Sequence, residues 1–170
     1  GDFDVDQMEK KVKELFSKIP TLVNPAKREN FTVNPHDEIY FVCATDKELT
    51  QSSVSVYIKY PAPTKEEKNH QYMKNGILQS FYNTMLGQRV SELLQKGNPP
   101  FISAQAGFGG NIVRGWNTYI ISTTAKPNEE AGALEAIYRE NERVKKFGFT
   151  EGELERAKTN MLVGLESAYK

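Results

Sequence analysis

The sequence has few of the side chains on which protein redox and metal chemistry depend. Its 170 residues include one cysteine, Cys43, and two histidines, His36 and His70. A single cysteine cannot form an internal disulfide or supply a Cys-x-x-Cys metal or redox site. Without an H-x-x-E-H motif, the two histidines exclude the usual helical zinc protease site from this stretch of chain. We therefore predict no catalytic, cofactor-binding or metal-binding residue here, and no cofactor within these residues.

The chain also lacks net charge and long apolar runs. Lys plus Arg and Asp plus Glu both number 22, so no net field attracts nucleic acid, an acidic membrane surface or a charged substrate. No apolar run approaches the roughly 20 residues that a membrane-spanning helix needs. We expect no nucleic-acid partner and no membrane segment in these residues. The cellular compartment stays unknown, and periplasm and cytoplasm are both open.

The candidates for metal or nucleophilic chemistry all have simpler interpretations. Glu67 and His70 have Glu-x-x-His spacing, which on a helix puts both side chains on one face, but di-iron bundles need two such motifs on apolar helices. One copy lies here, in the polar run PTKEEKNHQ, where Glu66 and Glu67 suit the dipole of a solvated helix start. His36 is interpreted as a turn residue beside a proline. Cys43, in IYFVCAT, is interpreted as a buried, inert thiol within a strand.

A glycine-rich stretch, AGFGGNIVRGW, is the remaining candidate for ligand binding. Gly110 and Gly115 have the spacing of a phosphate-binding loop, but Trp116 stands where the lysine would be. The stretch also joins two predicted strands rather than a strand and a helix. An RNA-recognition strand would need basic neighbours and further stacking aromatics. A hairpin with its turn at Gly-Gly-Asn, residues 109–111, explains the glycines.

Hydrophobic periodicity predicts the order of helices and strands. Helical spacing of apolar residues predicts helices at 4–18, at 65–96 with a break at Gly87, at 127–146, and from 150 onward. Alternation predicts strands at 38–45, 53–60, 101–108 and 115–125. Residues 20–38 hold three prolines without periodicity and are predicted to form an extended linker. Paired strands between helices favour a single α+β domain over 1–170, an antiparallel sheet with helices packed on one face.

The helix at residue 150 has the most fully specified start in the chain. Gly148 ends the preceding helix, Thr150 is placed to cap the next one, and Glu153 is placed to bond back to the cap. None of these side chains suits catalysis, so we expect a packing role. The apolar stripe of this helix is expected to cover the sheet; it consists of Leu154, Ala157, Met161 and Leu165.

Four segments carry a family resemblance. GDFD resembles the end of a Val-Gly-Asp-Phe strand, and MLGQRVSELL is similar to a Leu-Gly-x-Arg-Leu-x-x-x-Leu segment. PFISAQAGF falls where the next strand would begin, and KFGFTEGELERAK matches a G-x-T-x-x-E-L-x-x-A-K signature. In this order they resemble the non-catalytic half-domain of the pitrilysin/insulinase family of zinc metallopeptidases, which includes the mitochondrial processing peptidases. The resemblance implies a metallohydrolase domain of the LuxS/MPP-like type.

The resemblance carries no catalytic residue onto this chain. Active members of the family place an arginine and a tyrosine in a non-zinc domain, where they hold the substrate carbonyl. The tyrosine position aligns best with Phe101, which has no hydroxyl. The arginine position falls near Leu94 or Gln95, and the only nearby cation is Lys96. A non-catalytic domain is therefore what the resemblance implies.

The resemblance implies a structural domain that helps to enclose the substrate of a larger zinc-dependent metallopeptidase, which hydrolyses peptides. Zinc would lie in another domain of the parent chain, with a glutamate as general base. The expected partners are other domains of that chain and a peptide substrate, and a homodimer stays open. Two alternatives also stay open. One is a catalytically inactive family member acting as a scaffold or partner subunit, and the other is a free-standing module that binds a peptide at a sheet edge.

Overall fold

The computed structural model describes residues 2–27, 29, 31 and 33–169, which fall in two compact units, Gly1–Glu38 and Ile39–Lys170. The first unit contains helix α1, Val5–Phe16. Asp4 caps this helix, because its side chain accepts a hydrogen bond from Gln7 N at 2.9 Å. The predicted linker at 20–38 has neither helix nor strand in its described residues, and Arg28, Asn30 and Thr32 lie outside them.

The second unit contains an antiparallel sheet and its helices. In chain order its elements are β1 Ser52–Pro61, α2 His70–Gln95, β2 Phe101–Val113, β3 Trp116–Ala125, α3 Glu130–Phe147 and α4 Glu151–Tyr169. The strands lie in the order β1-β3-β2, so β3 is central and β1 and β2 are the edges. This arrangement confirms the predicted α+β fold. No helix in the described part of the chain is both long and apolar enough to cross a membrane.

The helices pack on one face of the sheet. On β3, Tyr119 and Ile121 point toward α2 and α3, and the strand register places Val56 of β1 and Ala106 of β2 on the same face. Buried apolar side chains form a core cluster: Leu86, Val90, Phe101, Ile121, Ala125, Ala133, Ile137 and Val144. In the described part of the chain no helix packs on the opposite face, where Tyr57, which pairs with Ile120, is 52% exposed. The prediction that helices pack on one face is therefore confirmed.

Helix α2 differs from its prediction at the start and in the middle. It begins at His70 rather than residue 65, because the side chain of Asn69 accepts from Gln71 N and Tyr72 N and so fixes the first turn. The predicted break at Gly87 is wrong, since the helix is continuous to Gln95. An internal glycine costs about 1 kcal/mol. Burial of the flanking core residues of α2 outweighs that cost.

The predicted strand at 38–45 is wrong. Residues 39–46 form neither strand nor helix, and Phe41 and Val42 are each 92% exposed. The segment has the β-branched and aromatic residues that strands favour. A strand also needs a neighbour whose backbone groups pair with its own, and β1 is paired with β3 alone in the described residues. The local sequence thus indicates a strand propensity, but no strand among the described residues pairs with this segment.

The β2–β3 hairpin turns later than predicted. The two strands are joined by Arg114 and Gly115, and Gly115 has φ +87°, a left-handed conformation that glycine adopts at little cost. The Gly-Gly-Asn segment instead lies inside β2, where the pairing register shifts after Gly109 and again after Asn111. These glycines therefore permit a bulge in the strand rather than forming its turn.

The last two helices also correct the predictions in part. Helix α3 starts at Glu130 rather than residue 127, because Asn128 has φ +64° and turns the chain before the helix begins. Helix α4 packs on α2, and within the described residues it makes no contact with the sheet. Ala157 is its buried residue, whereas Leu165 is 63% exposed. The expectation that the stripe of α4 covers the sheet is therefore wrong.

Candidate functional site

Glu67 and His70, which were considered for metal binding, both lie in the second unit. Glu67 precedes α2, so it does not share a helical face with His70, the first residue of that helix. The backbone N–H of Thr64 donates to Glu67 Oε2 at 2.7 Å, and this bond lowers the pKa of Glu67. Among residues 2–27, 29, 31 and 33–169, no group of three or more His, Cys, Asp or Glu side chains could hold a metal ion.

The remaining candidate residues are His36, Cys43 and Phe101. His36 Nδ1 donates to Glu38 O at 2.7 Å, which is a turn contact within the first unit. Cys43 is exposed and outside any strand, so the interpretation of a buried strand thiol is wrong. Phe101, at the position where the sequence resemblance implied a tyrosine, is 1% exposed and lies in the core. It is therefore a packing residue in this fold.

Arg89, on α2, makes four side-chain hydrogen bonds to the elements around it. Its Nε donates to Glu153 Oε1 at 2.5 Å and its Nη2 donates to Glu153 Oε2 at 2.9 Å, a bidentate pair with α4. Nη2 also donates to Gly148 O at 3.1 Å, and Nη1 donates to Glu140 Oε1 on α3 at 3.4 Å. The guanidinium carbon lies 4.9 Å from the ring centroid of Phe149. We call Arg89, Glu140, Gly148, Phe149 and Glu153 the Arg89 brace.

The brace explains why the start of α4 is so fully specified. Glu153 Oε2 accepts from the backbone N–H of Thr150 at 2.7 Å, and Glu153 N donates to Thr150 Oγ1 at 3.3 Å. The predicted capping box is therefore confirmed. The same carboxylate is the partner of Arg89. The Leu-Gly-x-Arg segment and the Gly-x-Thr-x-x-Glu segment, which carry the family resemblance separately in sequence, are thus hydrogen-bonded to each other.

The electrostatics of this pair follow from its geometry. The side chains of Arg89 and Glu153 are 16% and 13% exposed, so water screens their charges only in part. Hydrogen bonds from Arg89, together with those from Thr150, hold the pKa of Glu153 at about 2 against burial, which acts in the opposite direction. The hydrogen bond to Glu153 raises the pKa of Arg89. Both groups are charged at neutral pH.

This lowered pKa predicts acid sensitivity. A carboxyl whose folded pKa is about 2, against an ordinary 4.5, contributes stability that is present above about pH 5 and lost as the pH falls toward 2. We expect about 2 kcal/mol of unfolding free energy to be lost over that range through Glu153, allowing for solvent screening. Urea unfolding at pH 7, 5, 4, 3 and 2 measures it.

The matched variants for the acid titration are two glutamates of α4. Glu153→Gln removes the titrating group and should flatten the pH dependence between 5 and 2. Glu155→Gln removes a carboxyl that is 60% exposed and pairs with Lys158, so its profile should follow that of the unchanged chain. Equal slopes for the two variants would contradict the assignment to Glu153.

An aromatic cluster joins the brace to the sheet. The ring of Tyr82 packs edge-on against those of Phe108, Tyr119 and Phe149, with centroids 5.2, 6.1 and 5.5 Å away. The Tyr119 hydroxyl donates to Asn141 Oδ1 and lies 2.9 Å from the hydroxyl of Tyr82. Burial, followed by the hydrogen bond with Tyr82, raises the pKa of Tyr119. The Tyr119 hydroxyl therefore stays protonated, and the cluster is a structural connection between α2, the sheet and Phe149.

The outer edge of β2 is partly covered by one side chain of α2. Asn83 Nδ2 donates to Phe108 O at 2.8 Å, and Phe108 N donates to Asn83 Oδ1 at 2.8 Å. Phe108 is paired with Tyr119 of β3, yet both of its backbone groups bond to Asn83, so they point away from β3. By strand alternation the backbone groups of Ala106 and Ala104 point outward too. β2 is an edge strand, so no further strand lies beside them in the described residues.

A groove of about 410 Å³ runs beside this edge. One wall is formed by Asn83, Gly87 and Ser91, which are four residues apart on α2, and the other by residues 104–109 of β2. We call this the β2 groove. Its volume is in the range of ligand sites, and outward N–H and C=O groups at alternate residues are complementary to an extended peptide backbone.

Sequence reasoning missed both the brace and the β2 groove, although each left a signal. Asn83 is a poor helix former in the middle of a helix, which calls for a local hydrogen-bond partner. Gly107, inside a strand, indicates a bulge or a close backbone approach. An alanine Cβ at Gly107 would collide with Asn83 Oδ1. Interpreting these glycines as a turn does not predict this close approach.

Comparison with known proteins identifies the family. The family model described as "Peptidase M16 inactive domain" matches residues 1–161. A similar curated protein is the chloroplastic stromal processing peptidase of Oryza sativa subsp. indica, which is 26% identical over 110 residues. That match covers 64% of this chain and 9% of the relative, so the chain spans a small part of the curated relatives that it matches.

Solved structures share the fold. The periplasmic protease PqqL from Escherichia coli has a TM-score of 0.75 at 21% identity, with 99% of this chain and 18% of that chain covered. A predicted insulinase family protease from Yersinia pestis has a TM-score of 0.66 at 16% identity, with 99% and 36% covered. Each match again covers a minority of a longer protease chain.

Proposed function

Because this chain belongs to the peptidase M16 family as its inactive domain, we propose that it is a non-catalytic, substrate-enclosing domain of a larger zinc-dependent peptidase. M16 is a family of zinc metallopeptidases. In this proposal residues 1–170 form one domain of a longer chain, and zinc and the general base lie in another domain of that chain. Its partners are those other domains and a peptide substrate.

The observation that supports an enclosing role best is the one-sided packing of the sheet. Helices α2 and α3 cover one face, while the other face of the second unit carries polar and aromatic side chains such as Ser55, Tyr57 and Gln105, all exposed. An open sheet face of this kind can line a chamber around a substrate. The Arg89 brace fixes α3 and α4 to α2, which would keep such a wall rigid.

Cysteine labelling in the parent chain tests the enclosing role. In a Cys43→Ser background, Tyr57→Cys places a thiol on the open sheet face and Tyr138→Cys places one on α3, and the native side chains are each 52% exposed. We expect added peptide substrate to slow maleimide labelling at position 57 by tenfold or more, while position 138 is unaffected. Equal labelling at both positions with and without substrate would overturn the enclosing role.

Zinc analysis of the 170-residue chain tests the non-catalytic assignment. After incubation with zinc and gel filtration, we expect far less than one equivalent of zinc per chain and no hydrolysis of a casein-derived peptide mixture. The parent chain should retain one equivalent and cleave the mixture. Stoichiometric zinc together with peptide cleavage by the 170-residue chain would contradict the proposal. A parent chain that binds no zinc would instead favour the alternative of an inactive scaffold or partner subunit.

A second candidate function is peptide binding by the domain itself. The observation that favours it is that β2 is an edge strand beside the β2 groove, and alternation from Phe108 directs the backbone groups of Ala104 and Ala106 outward. An extended peptide would add there as a further strand. Saturable binding by the 170-residue chain alone, at the β2 edge, would support this candidate. It is compatible with the enclosing role, because a chamber wall can also hold the substrate.

A further inference from the structure

We propose that Asn83 is the residue that ends the peptide-accessible edge of β2, so that an added strand pairs with Ala104 and Ala106 and stops short of Phe108. This inference rests on the peptide-binding function proposed above for the β2 edge. It assigns to Asn83 the role of setting the register of the bound peptide. Asn83 would not take part in chemistry.

The side chain of Asn83 takes the place that a neighbouring strand would occupy beside Phe108. Its carboxamide presents one N–H and one C=O, and it makes with Phe108 the same pair of hydrogen bonds that a neighbouring strand would make there, each 2.8 Å long. The backbone groups of Phe108 are therefore already satisfied. A peptide that replaced Asn83 would have to break both bonds before forming its own, and would gain nothing in hydrogen bonding.

Gly107 makes this close approach feasible. It has φ +152°, and an added Cβ would collide with Asn83 Oδ1. A glycine at this position lets the side chain of α2 reach the strand edge. Farther along α2, Gly87 and Ser91 are too short to reach β2 in the same way, and the Ser91 hydroxyl donates to Gly87 O within the helix at 2.9 Å. The edge is therefore covered at Phe108 and left open at Ala104 and Ala106.

The length of the open edge indicates the ligand. Ala104 and Ala106 are two residues apart, which is about 7 Å along a strand, and together they offer two outward N–H and two outward C=O groups. The ligand is thus an extended peptide segment of about three residues. A longer peptide must continue away from Phe108, because Asn83 occupies the position that the next pair of bonds would need.

Two capped peptides of alternating threonine and valine, three and seven residues long, test the inference on the 170-residue chain. Backbone NMR would follow shifts and hydrogen exchange at Ala104, Ala106 and Phe108 during titration. In the unchanged chain both peptides should protect Ala104 and Ala106. The Phe108 amide should be protected from the start, since Asn83 accepts its proton.

In Asn83→Ala, the Phe108 amide should exchange rapidly until the seven-residue peptide is added. That peptide should bind about tenfold more tightly than to the unchanged chain, because two further backbone bonds become available. The three-residue peptide should bind both forms equally. Ser91→Ala is the control, as Ser91 lines the same groove and its hydroxyl donates to Gly87 O within α2. If Asn83→Ala does not keep the native NMR spectrum, Asn83→Ser replaces it.

The outcomes separate this inference from the function on which it rests. If peptides bind at Ala104 and Ala106 with equal affinity in both forms, the edge function stands and the role of Asn83 is overturned. If neither peptide perturbs these residues in either form, the edge is not a peptide site and both proposals fail. In the Asn83→Ala variant, the Phe108 amide could become protected from exchange only as the concentration of the chain rises. The occupant of the edge is then a second copy of this chain, and the peptide assignment is overturned.

Discussion

Replacing Arg89 with alanine is expected to lower the free energy of unfolding of the chain by about 3 kcal/mol. Arg89 is bonded to both α3 and α4 and, through Nη2, to the carbonyl of Gly148, the residue that follows α3. Its removal leaves the side chain of Glu153, 13% exposed, without its main cationic partner. Glu140 keeps an ion pair with Arg143 at 2.8 Å, so Glu153 should account for most of the loss.

The matched control for this variant is Arg139→Ala. Arg139 pairs with Glu135 one turn away on α3, and the two side chains are 71% and 68% exposed. An exposed pair of this kind contributes little, so we expect a change of about 0.5 kcal/mol or less. Urea unfolding at pH 7 measures both variants. A loss for Arg89→Ala no larger than that for Arg139→Ala would show that the brace does not hold the helices together.

A double-mutant cycle separates the ion pair from the rest of the brace. Glu153 also caps α4 through Thr150, so Glu153→Ala removes two kinds of interaction. If Arg89 and Glu153 act mainly through each other, the double variant should lose less than the sum of the single variants, with a coupling energy of about 1–3 kcal/mol. Additive losses would assign the effect of Arg89 to its contacts with Gly148 and Phe149 instead.

The elements that depend on residues close together in the sequence, such as helix caps and alternating strands, were predictable from the sequence. The capping box at Thr150 and the glycine that ends α3 appear in the structure as predicted, because each depends on residues within one turn. The strand around Val56 follows from alternation alone. By contrast, residues 38–45 carry strand propensity without a strand, because pairing depends on what lies beside the segment rather than within it.

The candidate site could not be predicted in the same way. Arg89 and Glu153 are 64 residues apart, and Asn83 and Phe108 are 25 apart, so no periodicity relates either pair. The resemblance to a family marked the segments around Arg89 and Glu153 but did not state that they meet. Burial of charged partners and close backbone approach are properties of the packed chain, and only the fold displays them.

Replacing Gly107 with alanine is the second large effect that we expect, a loss of about 3 kcal/mol in unfolding free energy. Two costs combine. The backbone of Gly107 has φ +152°, a conformation that residues other than glycine rarely adopt. The new Cβ would also displace Asn83 Oδ1 and break the hydrogen bonds to Phe108. Gly110→Ala is the matched control in the same strand, since no atom lies within 4 Å of its added Cβ, and we expect a change of about 1 kcal/mol or less.

The double variant Gly107→Ala with Asn83→Ala divides the two costs. Without the Asn83 side chain the collision is absent, but the backbone strain remains, so the double variant should be more stable than the sum of the single losses predicts. Urea unfolding measures all three variants. If Gly107→Ala and Gly110→Ala are equally stable, β2 can move away from α2 at no cost. The contact between Asn83 and the strand edge would then be too weak to set the register of a bound peptide.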